Sequence, residues 1–493
     1  MIAQETLDLS QKLFMPAVSL ADMSAAEAAF DLVPFAEASR RGCVALRDAQ
    51  GVVSLVLGDP FDLDTQDWLE ERLCVPFRYR LAHRNDVAAY LARQEAGMKA
   101  LDGVHIASAE AQNDGAEDLS FETISETDSP VVRLVASTLY DAIKAGASDV
   151  HLESTASGLT IKYRIDGVLT AAETVPGTEV AEQVISRIKV MSELDIAERR
   201  VPQDGRFKAR REGRDIDLRV SVMPSVFGED AVLRILDRRA LSDQLRGLTL
   251  DAVGFDEELK SALRKLSTQP YGMLLVTGPT GSGKTTTLYA TITEVNKGLD
   301  KIVTIEDPVE YQLPGVLQIP VNEPKGLTFA RGLRSILRHD PDRIMVGEIR
   351  DPETAEIAVQ SALTGHLVYT TVHANNSLDV LGRFMHMGVD PYNLVSALNA
   401  VLAQRLVRIY CTQCRSRGCH ECRGTGFKGR KAVGELLVLN DELRELIVAR
   451  APARKLKEAA RASGTLPLRE AALRLVQNGE TSQEEIDRVT FVA

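Results

Sequence analysis

The spacing of apolar and polar positions changes along the chain, and each change marks an element or a boundary. Met273–Thr277 is a short unbroken apolar run and predicts a buried strand. Lys301–Glu306, Ile344–Glu348 and Leu367–Val372 predict strands of the same kind. Between them Thr286–Val295, Phe329–Arg338 and Pro352–Leu363 carry helical spacing. The last has Asp351 as cap, Pro352 at its first position and Gly365 past its end. Strands alternating with helices imply a mainly parallel sheet covered on both faces.

Upstream the period changes. Asp128, Ser129 and Pro130 open a helix that ends near Gly146. Leu159–Ile165 alternates, Asp166-Gly167 is a hairpin turn, and a second ribbon runs through Gly205–Arg210 and Asp215–Val222. These predict an α+β domain over residues 129–240. The next segment, 241–408, combines a connector to Gln269, containing a short helix, with the parallel-sheet domain. Residues 1–98 mix short apolar runs with helical patches at Asp64–Leu73 and Asn85–Arg93, as in a small separate domain. From Ala100 to Val132 there is no Lys or Arg, while Asp102, Glu110, Asp114, Glu117, Asp118, Glu122, Glu126 and Asp128 accumulate. That composition predicts a solvated, flexible acidic linker over 99–128. Residues 431–493 are polar with helical spacing. No fixed-period repeat is evident.

Composition narrows the classes. The chain has 493 residues, 44% apolar and 26% charged, as in a soluble multidomain protein. A net charge of −12 argues against a nucleic-acid partner and against direct binding to anionic lipid. No apolar run approaches the ~20 residues that span a bilayer, and the N-terminus lacks the pattern of a secretory signal. These features predict a cytoplasmic protein whose membrane association is indirect. Six cysteines do not make a disulfide scaffold, and four of them crowd into residues 411–422.

The chemistry concentrates after the first predicted strand. Gly278, Pro279, Thr280, Gly281, Ser282, Gly283, Lys284 and Thr285 fit G-x-x-x-x-G-K-[ST]. Strand, glycine loop and helix in that order aim backbone N–H groups at a polyphosphate. Lys284 is expected to reach the β- and γ-phosphates of ATP, and the Thr285 hydroxyl to hold Mg²⁺. Hydrolysis also needs acidic groups near the attacking water and the metal. Glu306 and Glu348 end predicted strands at the carboxyl edge, where ligands bind in open parallel sheets. His366 and His373 bracket the fourth strand; their spacing fits sensing of the γ-phosphate or of a neighbouring subunit and hydrogen-bonded structural imidazoles equally well. Cys411, Cys414, Cys419 and Cys422 form two C-x₂-C knuckles that suit structural Zn²⁺, with Arg415, Arg417 and Arg423 offsetting the negative charge. Cys43 and Cys74 read as ordinary buried cysteines.

The run from Thr277 to Asn375 resembles the secretion ATPase superfamily that drives type II secretion and type IV pilus assembly. The P-loop, TIEDPVE (Thr304–Glu310), IMVGEIRD (Ile344–Asp351) and GHLVYTTVHAN (Gly365–Asn375) stand in that family's order. The likeness extends upstream through SDVHLE (Ser148–Glu153), RIDGVL (Arg164–Leu169), PQDGRF (Pro202–Phe207) and DLRVS (Asp217–Ser221), covering about residues 129–440. It implies a RecA-like ATPase domain, with Glu306 as general base and Glu348 as the acidic residue near metal and water. It also implies that His366 and His373 line the nucleotide site, and that Arg206 and Arg219 reach towards the phosphates from the preceding domain. Gly347-Glu348 replaces the generic Walker B aspartate, which is this family's own pattern. The four-cysteine zinc module, residues 409–430, is also a family feature, but only four residues separate its knuckles here, where a much longer loop is usual.

The expected function is that of a homohexameric, Mg²⁺-dependent ATPase powering type II secretion. It would lie on the cytoplasmic face of the inner membrane, recruited through residues 1–98 by a bitopic partner, and would act on a polytopic platform protein. A pilus-assembly ATPase shares the chemistry, but such proteins are commonly longer at the N-terminus; a retraction motor usually lacks the leading domain and the cysteine module. A nucleic-acid-translocating motor lacks support in the charge and in any basic, aromatic-rich segment. A scaffold that binds nucleotide without turnover is at odds with the presence of both Glu306 and Glu348.

Overall fold

The computed structural model describes residues 4–48, 51–73, 75–97, 117–118, 129–211, 214–237 and 248–490. They fall into two compact units, Met1–Asp237 and Arg238–Ala493.

The first unit holds two sheets. Strands Glu27–Ala28, Cys43–Arg47, Val53–Leu57 and Phe77–Leu81 form a four-stranded sheet in that order, the last pair parallel. Helices Leu63–Arg72 and Arg84–Gly97 match the two predicted patches. Cys43 is buried in this core, as expected; Cys74 lies outside the described residues.

The second sheet follows the helix Pro130–Lys144, whose cap is Ser129 accepting from the Val132 N–H. Its seven strands run in the order 117–118, 203–211, 214–225, 228–236, 149–155, 158–165 and 168–176. All pair antiparallel except the first, Glu117–Asp118, which lies parallel to Gln203–Arg211. These two residues of the acidic stretch are thus in the sheet, and the rest of that stretch lies outside the described residues. The predicted second ribbon is one part of a three-stranded meander, because the chain turns back again at Ser225–Gly228. Alternation is visible in Arg214–Ser225, where Ile216, Leu218, Val220 and Val222 are buried and face the two covering helices.

The second unit carries a seven-stranded sheet in the order Leu317–Pro320, Ile302–Glu306, Arg343–Val346, Leu367–Val372, Gly272–Thr277, Leu398–Tyr410, Phe427–Val438. All pairs are parallel except the last. Gly272–Thr277 and Leu367–Val372 are buried throughout, as parallel strands covered on both faces must be. Separate apolar clusters occupy the two faces. The four predicted strands are present, with ends shifted by one or two residues, and the helices are Lys284–Val295, Phe329–Ile336 and Pro352–Leu363. Three strands were not expected. Two of them, Leu398–Tyr410 and Phe427–Val438, form a hairpin, so residues 431–438 are strand rather than helix. Four helices from Asp441 to Val489 complete the unit. No helix among the described residues is long and apolar enough to cross a membrane.

Candidate nucleotide site and cysteine cluster

The phosphate loop joins the central strand Gly272–Thr277 to the helix Lys284–Val295. Gly278, Gly281 and Gly283 have φ of 150°, 76° and 84°, where an L side chain would be strained. A Cβ on Gly278 would lie 2.6 Å from the Gln404 carbonyl oxygen. Gly283 caps the helix without a side-chain hydrogen bond, so the first helical N–H groups have no side-chain acceptor at the cap. Ser282 is 3% exposed, and its Oγ has no hydrogen-bond partner among the described residues. Lys284 is buried and donates to the carbonyls of Gly278 (3.0 Å) and Pro279 (3.1 Å). Burial lowers its pKa; Glu348 acts against that and Arg405 adds to it. Glycine cradle, orphaned hydroxyl, uncapped helix and buried ammonium are the donor set that a polyphosphate requires. Thr285, at the start of the helix, is half-buried.

The two expected carboxylates part company. Glu348 is 15% exposed; it accepts from the Arg350 guanidinium and lies 3.6 Å from His373 Nε2. Burial, then the charge of Lys284, pulls the His373 pKa down, while Glu348 raises it. Lys284, Glu348, His373 and Arg405 thus share one electrostatic neighbourhood at the carboxyl edge. Glu306 is 2% exposed instead of standing in solvent at the strand end. Its carboxylate accepts from the hydroxyls of Tyr289 and Thr304 and from Gln318 Nε2 at 3.1 Å. Burial and the Glu306 charge drive the Tyr289 phenol far up, so it remains a donor. The physical reason is position: Glu306 ends a fully buried strand one in from the sheet edge, where Tyr289 of the edge-on Tyr289–Tyr311 pair reaches it. Three side-chain donors thus hold this carboxylate at the strand end in the nucleotide-free chain. Glu310, four residues on, is exposed.

His366 is a correction. Register pairs Gly272 with Leu367 and Thr277 with Val372. His366 therefore precedes the amino end of its strand, about 20 Å of strand length from the phosphate loop. Its Nδ1 lies 3.0 Å from the Ser361 carbonyl. Only His373 of the pair reaches the nucleotide edge of its own chain.

In the first unit, Arg206 and Arg219 are directly opposed across neighbouring strands, and Arg219 is opposed to Arg234. All three are exposed. Arg234 Nε donates to Asp149 at 3.0 Å, whereas Arg206 and Arg219 have no ion-pair partner among the described residues. Like charges opposed in this way repel, so the row carries a cost in the sheet that Asp149 offsets only at Arg234.

At the end of the unexpected hairpin the Sγ atoms of Cys411, Cys414, Cys419 and Cys422 all lie within 4.8 Å of one another. Three pairs are separated by 3.6 to 3.8 Å. Tetrahedral Zn²⁺ with bonds of about 2.3 Å spaces its sulfurs about 3.8 Å apart, so the cluster fits zinc. Despite burial, N–H groups of Cys419 and Gly426, each 3.2 Å from the sulfur, lower the Cys422 pKa towards thiolate.

A family profile described as "Type II/IV secretion system protein" matches residues 125–488, three quarters of the chain. The chain belongs to that family. A second profile, "MshEN domain", matches residues 13–101. The chain is similar to "Type II secretion system protein E" of Pseudomonas aeruginosa, 45% identical over 390 residues, covering 74% of this chain and 76% of the relative. It is 44% identical over 391 residues to "Type II secretion system ATPase E" of Vibrio cholerae, covering 74% and 76%. For "Type II secretion system protein E" of Xanthomonas campestris the identity is 39% over 473 residues, covering 90% and 82%. The solved ATPase DotB of Legionella pneumophila shares the fold, with a TM-score of 0.55 at 21% identity over 72% of this chain and 94% of that one. Family membership and the parallel-sheet ATPase fold that the motifs implied are thereby borne out.

Proposed function

We propose that the protein is the ATP-hydrolysing motor of a type II secretion system. The observation that carries this is the intact phosphate cradle around Lys284, in a chain matched over most of its length by E proteins of type II secretion systems, that of Vibrio cholerae named an ATPase. Lys284 leaves its loop carbonyls for the β- and γ-phosphates. Glu348, beside Lys284 and His373, orients the attacking water, and Glu306, at the carboxyl end of the next strand, serves as general base. Mg²⁺, held by Thr285, would supply charge neutralisation at the phosphates. Arg206 and Arg219 bring positive charge to the transition state when the domains close, within one chain or between neighbours of a homohexamer. Cys411, Cys414, Cys419 and Cys422 would hold Zn²⁺, which would supply the cross-link that a twelve-residue loop too short for its own core needs. Residues 1–98 dock on a bitopic inner-membrane partner, the segment 99–128 tethers them, and a polytopic platform protein receives the work at the cytoplasmic face.

The test is genetic. In a strain lacking the gene, complementation with the wild type should restore type II cargo to the medium, and Lys284→Ala should leave it in the periplasm. Normal secretion with loss of surface pili would assign the motor to pilus assembly instead.

A further inference from the structure

Two glycines of the phosphate loop abut one residue far away in sequence. Leu398–Tyr410 lies beside the loop's own strand, with Ala403 paired to Thr277, so Gln404 stands level with Gly278. Gln404 is fully buried. Its Nε2 donates to the Ser282 carbonyl at 2.9 Å, and its Oε1 accepts from the Thr287 hydroxyl at 2.8 Å. One amide thus joins the loop to the first turn of the following helix. Its backbone is held in turn: Arg405 donates from Nη1 to the Gln404 carbonyl and from Nη2 to the Asn375 carbonyl, both at 2.9 Å. A Cβ on Gly283 would lie 3.0 Å from Gln404 Nε2, and one on Gly278 would strike the Gln404 carbonyl oxygen. The glycines are therefore needed for more than positive φ, because the loop is cast against Gln404.

We propose that Gln404 is a positioning residue of the nucleotide site, setting the Ser282 peptide and the Lys284–Thr287 turn at the angle that aims their N–H groups at phosphate. This inference rests on the reading of Gly278–Thr285 as a nucleotide site. A buried side chain with both ends of its amide engaged has no orientational freedom to lend, so its removal loosens the junction it bridges. Removal also strands the Ser282 carbonyl and the Thr287 hydroxyl without partners.

The experiment measures affinity for a fluorescent ADP, kcat and KM on the full chain, with melting temperature in the absence of nucleotide. Gln404→Met keeps the volume and removes both bonds; nucleotide affinity should fall at least about 10-fold, as expected for stranding a buried polar group. Gln404→Glu keeps an acceptor for Thr287 and loses the donor to Ser282 while ionised. Its affinity relative to wild type should recover as pH falls from roughly 8 to 6, since burial raises a carboxyl pKa and the protonated form donates again. A packing role would give no such recovery. Thr287→Val, which breaks the bridge from its other end, should lower affinity too, and should add little to Gln404→Met. Affinity within about two-fold of wild type for both Gln404→Met and Thr287→Val would overturn the proposal. A wild-type protein that binds no nucleotide would instead overturn the reading beneath it.

Discussion

The two seven-stranded sheets follow different rules. In the sheet of the second unit, central strands are buried on both faces, and parallel register brings the glycine loop, Glu306, Glu348 and His373 to one edge. In the antiparallel sheet of the first unit, one face is core and the other is solvent, and the charges lie in cross-strand rows along that open face. The parallel sheet builds a site out of strand ends and backbone, so its identity is written in a local motif. The antiparallel sheet offers side chains one strand at a time, so the Arg206–Arg219–Arg234 row exists only once the register is known.

Substitutions can break this contrast, beginning with the largest effect. Arg219→Ala should lower turnover about 100-fold or more while nucleotide affinity changes little, as for cations felt mainly in the transition state. Equal losses in both would make the row a ground-state contact. The cysteine cluster, hung on the parallel unit's last hairpin, should retain one Zn²⁺ per chain through purification, and Cys422→Ala should release it; elemental analysis of the reduced protein decides. In stability, Leu275→Ala in the doubly covered sheet should cost about 2–5 kcal/mol by chemical unfolding. Thr174→Ala on the open face should stay within about 0.5 kcal/mol. Similar costs at the two positions would mean that the open face is covered.

The smallest effect is in acid. Glu485 joins the C-terminal helix Gln483–Val489 to Arg408 on the strand that leads into Cys411. Against burial, hydrogen bonds from Arg488 and Arg408 hold its pKa at about 2. A depressed carboxylate contributes stability above its ordinary value of 4.5, and that contribution is lost as pH falls from there towards 2. Glu485→Gln should therefore flatten the melting temperature against pH in that window. An unchanged acid limb would show that the clamp is not formed.

Much of the fold was legible, for identifiable reasons. Continuous apolar runs of five or six residues alternating with helical periods read as buried parallel strands, and Asp351 with Pro352 marked a helix start to the residue. Leu398–Tyr410 escaped notice because Gln404, Arg405 and Arg408 interrupt its apolar run. Their contacts, to a loop and to a distant helix, are tertiary. The glycine loop, Glu306, Glu348 and His373 all lie at the carboxyl ends of the parallel strands, as the order of strands and motifs predicts. His366 lies at the opposite end, and the burial of Glu306 was not legible, for one shared reason: a motif reports order along the chain, whereas burial and the end of the strand on which a residue falls follow from packing and register. Glu306 belongs to a strand with no exposed position, and His366 precedes its strand where His373 follows it.

The central claim is that ATP is bound and split at the carboxyl edge of the parallel sheet, around Lys284 and Glu348. The direct measurement is ATP binding and Mg²⁺-dependent turnover in the same preparations of wild type, Lys284→Ala and Glu348→Gln. The account predicts that Lys284→Ala loses binding and turnover together, and that Glu348→Gln binds ATP normally while turning over about 100-fold more slowly or worse. Normal ATP binding by Lys284→Ala, or hydrolysis by Glu348→Gln within about two-fold of wild type, would contradict it.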